Sequence, residues 1–184
     1  MTTKSDPGRS ARKASSASDD EAALSEFEWA LVRWYESYVR FTRESLAAVG
    51  GGQLTSQEVM ILHVIRMHDR PKTASMIANL LNRTDIQNLN YSARKLITLK
   101  LVSKAKHGTT KSAALTATAL GRRLCDDIAE YRRTALLESL RAVGDLSERL
   151  HSVANATSLL TALYDQAERE AVRPVSSLSK LPSS

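Results

Sequence analysis

The chain is short of the features that would make it a secreted, membrane-bound or catalytic protein. It has one cysteine, Cys125, in 184 residues, which excludes an internal disulfide framework. No stretch of about 18 apolar residues occurs and the N-terminus lacks the apolar run of a signal peptide. The expectation is therefore a soluble cytoplasmic protein without a membrane partner. There is no GxSxG, no Walker loop, no HExxH and no Cys-His pair at a useful spacing, so neither an enzyme nor a cofactor is expected. The run Gly50-Gly51-Gly52 follows a helical pattern rather than a strand and reads as a hinge, not a phosphate cradle. None of His63, His68, His107 and His151 pairs at a four-residue step. His63 and His68 lie about 140° apart around a helix, so no metal site is expected. Cys125 falls near an apolar stripe beside Asp126 and Asp127, carboxylates that raise a thiol pKa, and packing rather than redox sensing is expected of it.

Acid is scarce in one place. Residues 82–111 hold Arg83, Arg94, Lys95, Lys100, Lys104, Lys106 and Lys111 against Asp85 alone, a surplus of six positive charges that equals the net charge of the whole chain. Everything else cancels. A positive field confined to one helix and the segment after it is the electrostatic footprint of a duplex-DNA reader.

The first 20 residues are rich in Ser, Thr, Ala and bases and show no period, and the segment from Arg173 carries Pro174, Pro182 and five serines; both read as disordered tails, 1–20 and 173–184. Between them the pattern predicts one domain over residues 21–172. A long helix over 19–48 has Phe27, Leu31, Trp34, Tyr38 and Phe41 at three- and four-residue steps. A second opens on the capping box Thr55-x-x-Glu58 and runs to about His68. Thr73 caps a short third helix to Leu81, and the polar turn Asn82-Arg83-Thr84 leads into a fourth over 85–100, capped by Thr84 or Asp85. Two helices joined so tightly make a helix-turn-helix. Residues 101–116 then read as a weak hairpin turning at 107–110. Thr116 or Thr118 opens a long helix, Gly144 interrupts it, and Asp145-x-x-Glu148 starts the last.

The fourth helix separates by chemistry. At 100° per residue, Ile86, Leu89, Ala93, Leu96 and Ile97 share one arc of about 100°. Gln87, Asn90, Tyr91, Arg94, Lys95 and Thr98 face the other way, with Asn88 at the edge. Amides and a guanidinium can contact base edges bidentately, and the cations suit phosphate. An ordinary solvated face would mix both signs of charge; this one does not. The expected DNA contacts are Thr84, Gln87, Asn88, Asn90, Tyr91, Arg94, Lys95, Lys104, Lys106 and Lys111.

Residues 55–121 resemble a MarR-type winged helix-turn-helix. The residues that carry the likeness are Thr73-x-x-Met76-Ile77-Ala78-x-Leu80-Leu81, then Leu89-x-x-x-Ala93-x-x-Leu96 with Leu101-Val102, and Leu115-Thr116-x-x-x-Leu120-Gly121. The resemblance implies a mainly α (α+β) fold: a DNA-binding core at 55–121, a small β-hairpin wing, and long N- and C-terminal dimerisation helices at 21–49 and 117–172. It implies a bacterial homodimeric transcription regulator that reads a pseudo-palindromic operator through two recognition helices and is relieved by a small molecule. Two positions depart from the family. It usually has Gly where Lys100 stands, and its wing commonly carries Asp-x-Arg where this chain has His107-Gly108-Thr109, leaving minor-groove reading to Lys106 or Lys111, or to nothing. The phrase from Asn88 to Leu96 is similar to an alphaproteobacterial branch that includes cell-wall and stress regulators.

The aromatic first helix suits core and dimer packing. A sharper expectation is a pocket for an apolar or aromatic effector lined by Trp34, Tyr38, His63 and Met67. Two rival readings use the same fold without specific DNA binding, as a protein-interaction and dimerisation adaptor or as a ligand sensor. The adaptor would not need the whole net charge on the helix and hairpin, and the sensor would show apolar ligands shifting the melting temperature without affecting DNA.

Overall fold

A computed structural model of the chain describes residues 7–105, 113–142 and 144–171, with side chains from residue 18 onward. The chain divides into two compact units, Met1–Arg132 and Arg133–Ser184. None of the residues of the last helix is buried.

In the first unit the order is α1 (Pro7–Ala48), α2 (Ser56–Arg66), a 3₁₀ turn (Met67–Asp69), β1 (Lys72–Thr73), α3 (Ala74–Leu80), α4 (Ile86–Thr98), β2 (Val102–Ala105), β3 (Ala114–Ala117) and α5 (Ala119–Arg132). The strands form an antiparallel sheet in the order β1-β3-β2, with Lys72 opposite Leu115 and Val102 opposite Ala117. Strand β1 has two residues, too few to show any period, which is why the sequence pattern did not reveal it.

The expected tail over 1–20 is corrected from Pro7 onward, where α1 is already helical. Proline suits a first helical position, and Ala11, Ala14 and Ala17 with Arg9, Arg12 and Lys13 favour helix without any apolar period. Residues 1–6 and the expected tail at 173–184 lie outside the described residues, as does the turn expected at 107–110.

The core sits where α2, α4, β3 and the C-terminal end of α1 meet. Leu46, Ile61, Leu62, Ile65, Ile77, Leu89, Leu96 and Val102 are all essentially inaccessible. Full burial of each such side chain contributes about 1.5–3 kcal/mol. Among the described residues of α1, Thr42, Ser45 and Leu46 are buried; Trp34, on the stripe expected to be internal, is 63% exposed.

Three helices end in the same way. At Gly50, Asn82 and Lys100 the backbone turns left-handed, with φ of 76°, 49° and 59°. In each case the next residue's N–H reaches the carbonyl five positions back: Gly51 to Leu46 at 2.7 Å, Arg83 to Ala78 at 2.9 Å, Leu101 to Leu96 at 3.0 Å. These are Schellman closures, which satisfy carbonyls left over by the last turn. The one after α3 makes the tight turn into α4. The one after α4 explains the family's glycine at the position of Lys100, because a side chain costs energy at positive φ. Lys100→Gly should therefore raise stability by about 1 kcal/mol in urea unfolding. An unchanged or lowered midpoint would contradict that backbone assignment.

The 3₁₀ turn is also strained, with His68 and Asp69 at φ 60° and 47°. Lys72 holds it. The ammonium, on a residue only 4% exposed, donates to the carbonyls of Ile65 at 3.2 Å and Arg70 at 3.1 Å, and to that of Met67. Burial lowers its pKa, with Asp69 opposing.

The second unit holds a five-residue π turn (Arg133–Leu137), the single-turn α6 (Glu138–Leu140) and α7 (Leu146–Ala171). Leu150, Val153, Leu159, Leu163 and Tyr164 of α7 are exposed. Among the described residues no helix is long and apolar enough to cross a membrane.

Candidate nucleic-acid interface

Helix α4 presents the face its periodicity predicts. Leu89, Ala93 and Leu96 are buried and Ile97 half-buried, whereas Ile86 in the first turn is 36% exposed. Thr84, Gln87, Asn88, Asn90, Tyr91 and Arg94 are exposed, Tyr91 at 70%. Among the described residues of their own unit nothing occludes Gln87, Tyr91 or Arg94. Among the described residues no acid pairs with Arg94. Lys104 projects from β2 into solvent and Lys100 stands at the end of α4. Lys106 and Lys111, expected to contact DNA, lie outside the described residues.

Lys95 needs a correction. Its ammonium donates to Glu58 Oε2 at 2.8 Å and to the Gln53 carbonyl at 2.8 Å. Glu58 is 4% exposed, and the same oxygen accepts the Thr55 N–H at 2.8 Å, closing the capping box expected at the start of α2. Lys95 therefore ties α4 to α2 and is not an outward phosphate contact. Helical periodicity puts it on the outer half of the circle, but its long stem lets the charge reach back. The partner lies 37 residues away, so local spacing carries no signal of it.

The start of α4 holds a second cluster that sequence reasoning missed. Asp85 occupies the cap position but makes no side-chain bond to the helix backbone. Its carboxylate instead takes a two-pronged contact from Arg83, Nε to Oδ1 at 2.8 Å and Nη2 to Oδ2 at 2.6 Å, and accepts Asn88 Nδ2 at 3.0 Å. The Arg83 guanidinium, then the Asn88 amide, hold the Asp85 carboxyl well below the usual carboxylate range. Thr84, the other expected cap, contributes its carbonyl to Ile86 N–H at 3.0 Å. The spacing Asp85-x-x-Asn88 was the available clue, since residues three apart on a helix are neighbours.

The four residues expected to line an effector pocket are not gathered around the cavity described in this unit. Trp34 and Tyr38 stack on each other along α1, ring centroids 5.5 Å apart at 16°. His63 is half-buried on α2, its pKa lowered by burial first and then by Arg132 and Arg66. Met67 is exposed. A cavity of about 180 Å³ lies elsewhere, under the end of α4, lined among others by Val49, Leu54, Leu99, Leu120 and Arg123. Cys125 is fully buried, and burial pushes its thiol up to about 11; Asp126 adds only a minor part, so the neighbouring carboxylates are not the main cause.

The model of the winged helix DNA-binding domain family matches residues 54–121. Among curated proteins none matches the chain. Several solved structures share the fold. A crystal structure of a MarR family transcription regulator has a TM-score of 0.66 at 14% identity, covering 85% of this chain and 99% of that one. Staphylococcus aureus MarR in complex with salicylate and kanamycin has a TM-score of 0.64 at 16% identity, with 82% and 97% covered. Reduced AbfR bound to DNA has a TM-score of 0.61 at 13% identity, with 78% and 97% covered.

Proposed function

We propose that this chain, a winged helix-turn-helix protein of MarR type with its DNA-binding domain at residues 54–121, is a homodimeric transcription regulator that binds a specific pseudo-palindromic duplex. One observation carries the reading: the polar face of α4, with Gln87, Asn90, Tyr91 and Arg94, is exposed and free of acidic partners among the described residues. An α-helix fits the major groove, where Arg reads guanine and Asn or Gln reads adenine. Arg94 and the amides supply sequence discrimination; Lys100 and Lys104, with Lys106 and Lys111 further along the sequence, neutralise phosphates.

Dimerisation is supported by apolar surface that a monomer leaves in water. Trp29, Val32 and Trp34 of α1 in the first unit are exposed, as are Leu150, Val153, Leu159 and Leu163 of α7 in the second. Exposed apolar surface of this extent marks an interaction site. Two recognition helices then read half-sites whose centres lie about 10 base pairs apart. A small apolar or aromatic molecule relieves the binding. The Trp34–Tyr38 stack offers a surface for it, and the S. aureus relative in fold is a complex with salicylate and kanamycin.

Selection of bound fragments from random DNA, followed by affinity measurements against salt, tests this reading. A two-fold symmetric winner is expected. Arg94→Ala should cost about 10- to 100-fold on that site and little on its scramble. Lys104→Ala should weaken both alike and lower the salt slope by about 1. Equal losses on matched and scrambled DNA for both variants would contradict the division of roles.

A further inference from the structure

We propose that Asp85 is a positioning residue that presents the Asn88 amide to an adenine, with its oxygen and one N–H turned outward. The proposal rests on the reading of α4 as a recognition helix. An asparagine amide is nearly symmetric in shape, and on a bare helix face its oxygen and nitrogen can exchange places. Here they cannot. Asp85 offers only acceptor oxygens, held ionised by the two-pronged contact from Arg83 at 2.8 and 2.6 Å, so the group facing it at 3.0 Å has to be Nδ2.

The geometry of the amide decides what remains. Nδ2 carries two hydrogens, one on the side of Oδ1 and one pointing away from it. The bidentate contact to adenine uses Oδ1 and the hydrogen beside it, one accepting from N6 and the other donating to N7. The hydrogen pointing away is not needed, and it is the one that can go to Asp85. The intrachain bond thus leaves the adenine-reading edge complete. Asn88 is exposed and lies in the first turn of α4, the part of a recognition helix that reaches base edges.

A carboxylate at this point also has a cost for a DNA binder, since it repels phosphates. Arg83 neutralises it, which explains why the one acid in the basic stretch is tolerated at the tip of its reading helix. Asp85 makes no capping bond, so a structural role for it in starting α4 is weak.

The test compares wild-type protein, Asn88→Ala and Asp85→Ser on the selected duplex and on a duplex with one A·T pair changed to G·C. Serine at position 85 caps a helix well and so keeps α4 in place, but its hydroxyl both donates and accepts and does not orient the amide. Wild type should prefer the A·T pair about 10- to 100-fold. Asn88→Ala should lose that preference, and Asp85→Ser should reduce it below about threefold. The melting temperature and the preferences at other positions should hold, and sequence-blind affinity should stay level or rise. If Asp85→Ser keeps the wild-type preference, or if Asn88→Ala alters a position that is not adenine, the proposal is wrong while the regulator reading stands. A wild-type protein with no preferred sequence overturns both.

Discussion

Replacing Gly121 by alanine is expected to be the most damaging single-methyl change in the described protein. A Cβ at that position would lie 2.1 Å from the Leu101 carbonyl oxygen and 3.0 Å from its carbon, all backbone with no flexible side chain to give way. Helix α5 starts against this backbone through Thr118, whose N–H reaches Leu101 O at 3.0 Å and whose hydroxyl reaches Lys100 O at 2.7 Å. The same hydroxyl accepts the Gly121 N–H at 3.1 Å. Moving α5 away to admit a methyl would strain these bonds together, at the junction where α4 hands the chain to the sheet. Overpacking of this kind costs about 3 kcal/mol. For a chain of this length that lowers Tm by roughly 6–12 °C. Gly52→Ala is the control: its Cβ would meet only an ordinary contact at 3.9 Å, and stability should change by less than about 0.5 kcal/mol. Equal melting temperatures for the two variants would show that the close approach is not as drawn.

Glu58→Ala should be the next most costly. It removes the acceptor of the Thr55 N–H and the partner of Lys95 at one stroke. Losing the cap costs about 1 kcal/mol, and uncoupling a carboxylate that is 6% exposed from a cation that is 34% exposed adds a similar amount after screening, for about 2–3 kcal/mol in chemical denaturation. The informative companion is Lys95→Met, which leaves the capping box in place. Because the ammonium of Lys95 is committed to Glu58 and Gln53, its loss should leave the salt slope of DNA binding where it was, in contrast to the loss of Lys104. A slope lowered by about 1 in Lys95→Met would return that lysine to the DNA surface.

These residues show where sequence was informative and where it was not. Much of what helical spacing alone dictates transferred to the structure, although the Asp85–Asn88 contact, three residues apart, did not. The Thr55–Glu58 box, the cap of α3 by Thr73 and the buried stripe of Leu89, Ala93 and Leu96 all follow from helical spacing. Contacts between distant segments left no such trace. Nothing local to Lys95 announces Glu58, and nothing near Lys72 announces that its charge is buried among carbonyls. The start of α1 reads as a tail in the sequence because alanine and arginine favour helix without any apolar rhythm. Its rhythmic aromatics suit core and dimer packing alike, since periodicity shows only that a face is apolar, not what covers it.

The closure at Asn82 limits how this protein can be controlled. With α3 and α4 joined by a backbone already locked in hydrogen bonds, and α4 moored to α2 by a lysine, the reading head has no joint of its own. In the proposed dimer, an effector would therefore act on the spacing of two intact heads, as calipers are set by opening the legs and never by bending a tip.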